Sequence, residues 1–232
     1  MNKIAIQAAD KLNITANLYE GEPVESPVLI LFHQVGFSRG EYVETAEYFH
    51  KQVFTCIAPD LRSGGEVNGT ANETYKAAVA AGKPTNNTDA TQDIEAVIAF
   101  VHKKYPTSKT VILGSSYSSS LALIMGVKYG DILTAVISFS RGEYFKLENK
   151  SIAAWAKELR VPVFISSAKD ELDSWAAIFK AIPSANKIGF KPIGPGIHGS
   201  RNLWLSNANH QEYRSALEEF IHSLALTYIP EK

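Results

Sequence analysis

The chain has 232 residues, 23 Lys and Arg against 24 Asp and Glu, and 45% apolar and aromatic residues. That length buries one sizeable core and is short for two, so residues 1–232 are expected to form a single domain. A formal net charge of −1 supplies no long-range field to draw in nucleic acid or an anionic membrane, so neither is an expected partner. No apolar run reaches the roughly 18 residues of a membrane span, and the opening MNKIAIQAAD lacks a long apolar core of the secretory kind. The chain therefore reads as soluble and cytoplasmic. A single cysteine, Cys56, excludes an intrachain disulfide and a cysteine-based zinc site, and the six histidines include no HExxH pair, so no metal is expected.

In chain order, Lys3 to Ala8 and Leu12 to Tyr19 read as an antiparallel hairpin around Ala9-Asp10-Lys11. Six further strands are expected at Val28 to His33, Thr55 to Ala58, Thr110 to Leu113, Thr134 to Phe139, Val161 to Ser166 and Lys187 to Lys191. Helical segments alternate with them: Gly40 to Lys51, Asp89 to Tyr105, Ser118 to Tyr129, Asp173 to Ala181 and His210 to Leu226. The Asp89 segment has the clearest period, with Ile94, Val97, Ile98 and Val101 on one stripe and Gln92, Glu95 and Lys103 opposite. Alternation of this kind predicts an α/β fold: a mostly parallel eight-stranded sheet with an N-terminal antiparallel hairpin and helices on both faces. Two stretches, 63–88 and 141–160, remain as minor excursions and leave no room for a large cap domain.

The most informative segment is Val111-Ile112-Leu113-Gly114-Ser115-Ser116-Tyr117-Ser118-Ser119, which runs straight into the helical Ser120-Leu121-Ala122-Leu123-Ile124-Met125. A strand that turns sharply into a helix needs small residues two before and two after its apex, where larger side chains would meet backbone. Gly114 and Ser118 supply them around Ser116, and the free N–H groups of the helix start face its hydroxyl. Ser118, flanked by Ser116 and Ser120, is the alternative apex, and a plain serine-rich turn is the structural one.

A nucleophilic serine needs a base, and the base needs an acid to orient it. Asp170 follows the buried run Val161 to Ser166, with Glu171 and Asp173 as weaker acid candidates further along the same turn, and His198 sits between glycines in Ile193-Gly194-Pro195-Gly196-Ile197-His198-Gly199. Ser116, Asp170 and His198 all fall at C-terminal strand ends, the edge where sites form in parallel sheets. Asp170 can equally cap the helix that follows. The turn Phe32-His33-Gln34-Val35-Gly36 can present the Val35 amide as a second oxyanion donor beside the Tyr117 amide, with the Gln34 side chain as an alternative. His33 reads as a satisfied structural side chain at the edge of the site.

Together these pieces resemble the α/β-hydrolase superfamily, especially its small dienelactone-hydrolase-like members. The matching segments are Phe32 to Gly36, Ala58-Pro59-Asp60-Leu61-Arg62, Gly114 to Ser119, Asp170 and His198-Gly199. The resemblance implies Ser116 as nucleophile, His198 as base and Asp170 as acid, acting on a small ester or related acyl substrate with no cofactor, in a monomer or homodimer. Dienelactone hydrolases carry cysteine at the apex where this chain has Ser116, so their substrate does not transfer. The pentapeptide Ser-Arg-Gly-Glu-Tyr occurs at 38–42 and again at 140–144. If both copies line the mouth, Arg39, Arg141 and Tyr144, joined by Arg62, favour a carboxylate-bearing ester; the alternative is coincidence of helix-start composition. A catalytically silent binding protein on the same fold is the competing functional expectation.

Overall fold

A computed structural model describes residues 1–226. Strands β1 (Asn2–Gln7) and β2 (Asn13–Tyr19) form the antiparallel hairpin. The others in the main sheet are β3 (Val28–Phe32), β4 (Thr55–Pro59), β7 (Thr110–Ser115), β8 (Ala135–Phe139), β9 (Val163–Ser166) and β10 (Lys187–Gly189). Between β4 and β7 lies a separate short hairpin, β5 (Glu66–Val67) with β6 (Thr70–Ala71). The eight-stranded order is β1-β2-β4-β3-β7-β8-β9-β10, antiparallel where β2 meets β4 and parallel from β4 onward. The expected hairpin, strand count and largely parallel sheet are therefore what the molecule has.

The central strands β3, β4, β7, β8 and β9 are buried along their whole length, as a parallel sheet covered on both faces requires. Alternation along β3 sends Val28, Ile30 and Phe32 into one core layer and Leu29 and Leu31 into the other. The first layer receives α3 (Thr91–Lys104), α4 (Tyr117–Lys128), α5 (Ile152–Ala156) and α6 (Leu172–Ala181). The second receives α1 (Val43–His50) and α7 (His210–Ser223) through Ala46, Phe49, Tyr213, Leu217 and Phe220. On α3 the predicted stripe Ile94, Val97, Ile98 and Val101 is buried throughout. Each such side chain contributes about 1.5–3 kcal/mol by leaving water.

The two excursions carry small elements of their own. Residues 63–88 hold the short hairpin and α2 (Glu73–Ala80), capped by Asn72, whose side chain accepts the Tyr75 amide. Residues 141–160 hold α5, capped by Ser151. No large cap stands over the strand ends among the described residues. No helix there is long and apolar enough to cross a membrane.

Candidate active site

Ser116 stands where β7 turns into α4, with φ 57° and ψ −123°. That left-handed backbone is costly for a non-glycine residue and is held by its surroundings. Its amide donates to Phe139 O on neighbouring β8, 2.9 Å away. The smallness of the flanking positions is physical: a Cβ on Gly114 would lie 2.4 Å from Ser118 O. Ser118 fits in place of a second glycine because its hydroxyl is drawn inward, donating to Phe32 O at 2.7 Å and accepting the Ser115 amide at 2.9 Å. That tie excludes Ser118 as the exposed apex.

His198 Nε2 lies 2.8 Å from Ser116 Oγ. Its loop needs the glycine that follows: Gly199 has φ +78°, and a Cβ there would stand 2.6 Å from Ser115 Oγ. The Ser200 amide donates to that same Ser115 hydroxyl at 2.9 Å, docking the loop on the end of β7.

The carboxylate at the other end of the imidazole is that of Glu171, not of the expected Asp170. Glu171 Oε1 hydrogen-bonds His198 Nδ1, while Asp170 is exposed beside Lys169, Pro195 and Gly196 in an open surface hollow. The reason lies in the turn after β9. Residues Lys169–Glu171 form a 3-10 turn, in which side chains three apart share a face. Ala168 faces inward and is buried, so Glu171 follows it inward and Asp170 points away. The Lys169 amide donates to Pro195 O at 2.8 Å, which pins this turn to the loop that carries His198. Half-burial tends to raise the Glu171 carboxyl, but the bonds from His198, Ser140 and the Ala168 amide outweigh it and hold the group below its ordinary value.

The turn after β3 lies next to the elbow because β3 pairs with β7, Phe32 opposite Gly114. His33 fixes it as a buried structural side chain: Nε2 accepts the Leu61 amide at 2.8 Å, so Nδ1 carries the proton and donates to Gln34 O at 2.8 Å. Burial pushes the His33 imidazole down, keeping it neutral. Glu41 holds the same turn, accepting the Gln34 amide at 2.8 Å and the Ser200 hydroxyl at 2.6 Å. Val35 belongs to this turn, and the Tyr117 amide stands at the first position of α4, where helical geometry leaves N–H groups without a partner inside the helix. Gln34 Nε2 is buried and has no hydrogen-bond partner among the described residues.

The arginines expected at the mouth are elsewhere. Arg39 pairs with Asp60 and with Glu73 at 2.7 Å, and Arg62 with Asp10 at 2.9 Å and Asp93 at 2.7 Å. Arg141 is fully buried, donating from Nη2 to Trp175 O at 2.7 Å with its guanidinium 6.0 Å from the Trp175 ring. None of the three presents a cation to the opening, because each is enclosed by elements distant in sequence. Tyr144 does reach the site: it is 44% exposed, its phenol donates to Ser140 O, and the Ser116 hydroxyl stands beside it.

Sheet order, N-terminal hairpin and strand-to-helix elbow define the α/β-hydrolase fold in its small, dienelactone-hydrolase-like form, as the sequence resemblance implied. No family model matches the sequence, and no curated protein matches it. Among solved structures, the chain is similar to an esterase of Pyrococcus furiosus, with TM-score 0.70, 16% identity, and 96% of this chain and 91% of that one covered. Est1E from Butyrivibrio proteoclasticus with bound ferulic acid gives 0.72 at 13% identity, covering 96% and 99%. A dienelactone hydrolase from Anabaena variabilis gives 0.73 at 11% identity, covering 96% of each chain. At these identities the likeness is one of fold.

Proposed function

We propose that this protein is a serine-dependent acyl hydrolase acting on a small ester. The observation that carries the reading is the continuous line from Ser116 Oγ through His198 Nε2 and Nδ1 to the Glu171 carboxylate. In this mechanism Ser116 attacks the ester carbonyl as His198 takes its proton, and the Val35 and Tyr117 amides hold the oxyanion. His198 then returns the proton to the leaving alcohol, and water releases the acid by the same route. Glu171 fixes the tautomer and stabilises the imidazolium. Gln34 Nε2 and the Tyr144 phenol are the polar groups proposed to contact substrate. The site carries no bias toward carboxylate-bearing esters from Arg39, Arg62 or Arg141, because all three are buried away from the opening.

Labelling with a serine-directed fluorophosphonate, alongside hydrolysis of p-nitrophenyl acetate, tests this reading. The native protein should form one adduct and Ser116→Ala none. Glu171→Gln should lower kcat by about 10³–10⁴-fold, while Asp170→Asn stays within about threefold of the native protein. Absence of an adduct on the native protein would instead favour a silent binding protein on this fold. The reverse ranking of the two carboxylate variants would return the acid role to Asp170.

A further inference from the structure

Ser140 follows β8 in the left-handed region, with φ 52°, and its amide donates to Ser166 O on β9 at 2.8 Å. Its backbone is thus fixed between two strand ends. Its hydroxyl lies 2.6 Å from Glu171 Oε2, the oxygen not used by His198, and 2.7 Å from the Gly199 amide. The proton assignment follows from chemistry. An amide N–H can only donate and an ionised carboxylate can only accept, so the hydroxyl must donate to Glu171 and accept from Gly199. One oxygen therefore links the acid to the residue next to the base. It also completes Oε2, which among the described residues otherwise holds only the Ala168 amide at 3.2 Å.

From this geometry we infer that Ser140 is a positioning residue of the site, setting the Glu171 carboxylate and the His198 loop in mutual register. The inference rests on the hydrolase reading for its kinetic consequences but not for its structural ones. Without the hydroxyl, Glu171 is free to rotate about its side-chain bonds, and the Gly199 amide loses its acceptor. An anion that loses a donor also gains proton affinity, so the Glu171–His198 pair should take up its proton at higher pH. The other titratable groups facing this pair are Tyr144 and Tyr213, with Asp170 alongside and Arg201 bonded to His198 O. All of them are kept in the variants.

Ser140→Gly is the informative substitution, because glycine accepts the positive φ without strain and loses the hydroxyl together with only one small carbon. Relief of the strain at φ 52° is set against two lost hydrogen bonds, so the variant should stay folded and melt within about 5 °C of the native protein, yet lose about 10- to 100-fold in kcat with KM within about twofold. The acid limb of its kcat/KM profile should move up by about one pH unit. Imidazole NMR titration of His198, assigned with His198→Ala, should show the same upward shift, and this readout needs no turnover. Native kcat and an unmoved profile in Ser140→Gly, with labelling still lost in Ser116→Ala, would overturn the role of Ser140 alone. An unshifted His198 titration would overturn it even if the protein hydrolyses no ester.

Discussion

At 38–42 the sequence Ser-Arg-Gly-Glu-Tyr forms a single 3-10 turn, while at 140–144 the same five residues form no regular structure. The first residue decides the difference. Ser38 has an extended backbone, φ −141°, and its side chain accepts the Gly40 amide as a helix cap; Ser140 has φ 52°, which turns the chain away from helical continuation. The arginines then meet unlike surroundings. Arg39 has two carboxylates, Asp60 and Glu73, whereas Arg141 keeps Nε and Nη1 without a partner among the described residues. Both glutamates satisfy backbone amides, but Glu41 holds the turn after β3 and Glu143 caps the start of α5 at Ile152 and Ala153. Each copy nevertheless braces the histidine loop from its own side, the first through Glu41 to Ser200 and the second through Ser140 to Gly199. A shared pentapeptide therefore says little about shared role, because long-range partners assign the roles.

The arginines offer the largest expected contrast. Arg39→Met strands Asp60, whose side chain is fully buried, and should cost about 3–5 kcal/mol in urea unfolding. Arg141→Met strands no carboxylate. Burial already pushes the Arg141 guanidinium down to about 9, so its charged form is disfavoured where it stands. This variant should unfold within about 1 kcal/mol of the native protein or be more stable. Equal losses from the two substitutions would mean that Arg141 has a counter-charge after all, and the comparison would fail.

The glycines come next. A Cβ on Gly40 would lie 2.4 Å from Val67 O and 2.8 Å from Thr70 Cβ, both parts of the short hairpin. Gly40→Ala should therefore cost about 1–3 kcal/mol by overpacking. At Gly142 the nearest obstacle is the Tyr144 ring at 3.3 Å, a half-exposed side chain able to shift, and Gly142→Ala should cost less than about 0.5 kcal/mol. Thermal melts of the two variants against the native protein check the order.

The pentapeptide also shows where sequence reading stops. Sheet, helices and elbow were legible because each depends on local pattern: an unbroken apolar run in β3, period 3.6 in α3, small residues two either side of Ser116. His198 was legible because a histidine between glycines has little packing to do. The carboxylate that meets His198 lies one residue beyond the expected Asp170 because a 3-10 turn at Lys169–Glu171 has no pattern of its own, and only the inward face of Ala168 decides which carboxylate follows it. The arginines were misread for a different reason. Asp10, Asp60, Glu73 and Asp93 reach them from separate elements, and no spacing announces such pairing. Ser140 was missed as a bracing residue, although a polar residue ending a buried strand beside two other such ends was the available signal.

The tyrosines give the smallest contrast in stability and the clearest separation of stability from activity. Tyr42 is fully buried and donates to Phe32 O at 2.8 Å, an oxygen that also keeps the Ser118 hydroxyl. Tyr42→Phe therefore removes one bond without stranding its acceptor, at about 0.5–1 kcal/mol in urea unfolding and with little change in ester turnover. Tyr144 is 44% exposed with its phenol beside Ser116, so Tyr144→Phe should leave stability within about 0.5 kcal/mol. Its expected effect is on kcat/KM for p-nitrophenyl acetate, a fall of about 2- to 10-fold from the loss of one hydrogen bond near the reacting serine. If Tyr42→Phe were the variant that slowed turnover and Tyr144→Phe the one that unfolded, the assignment of one copy to the frame and the other to the opening would be reversed.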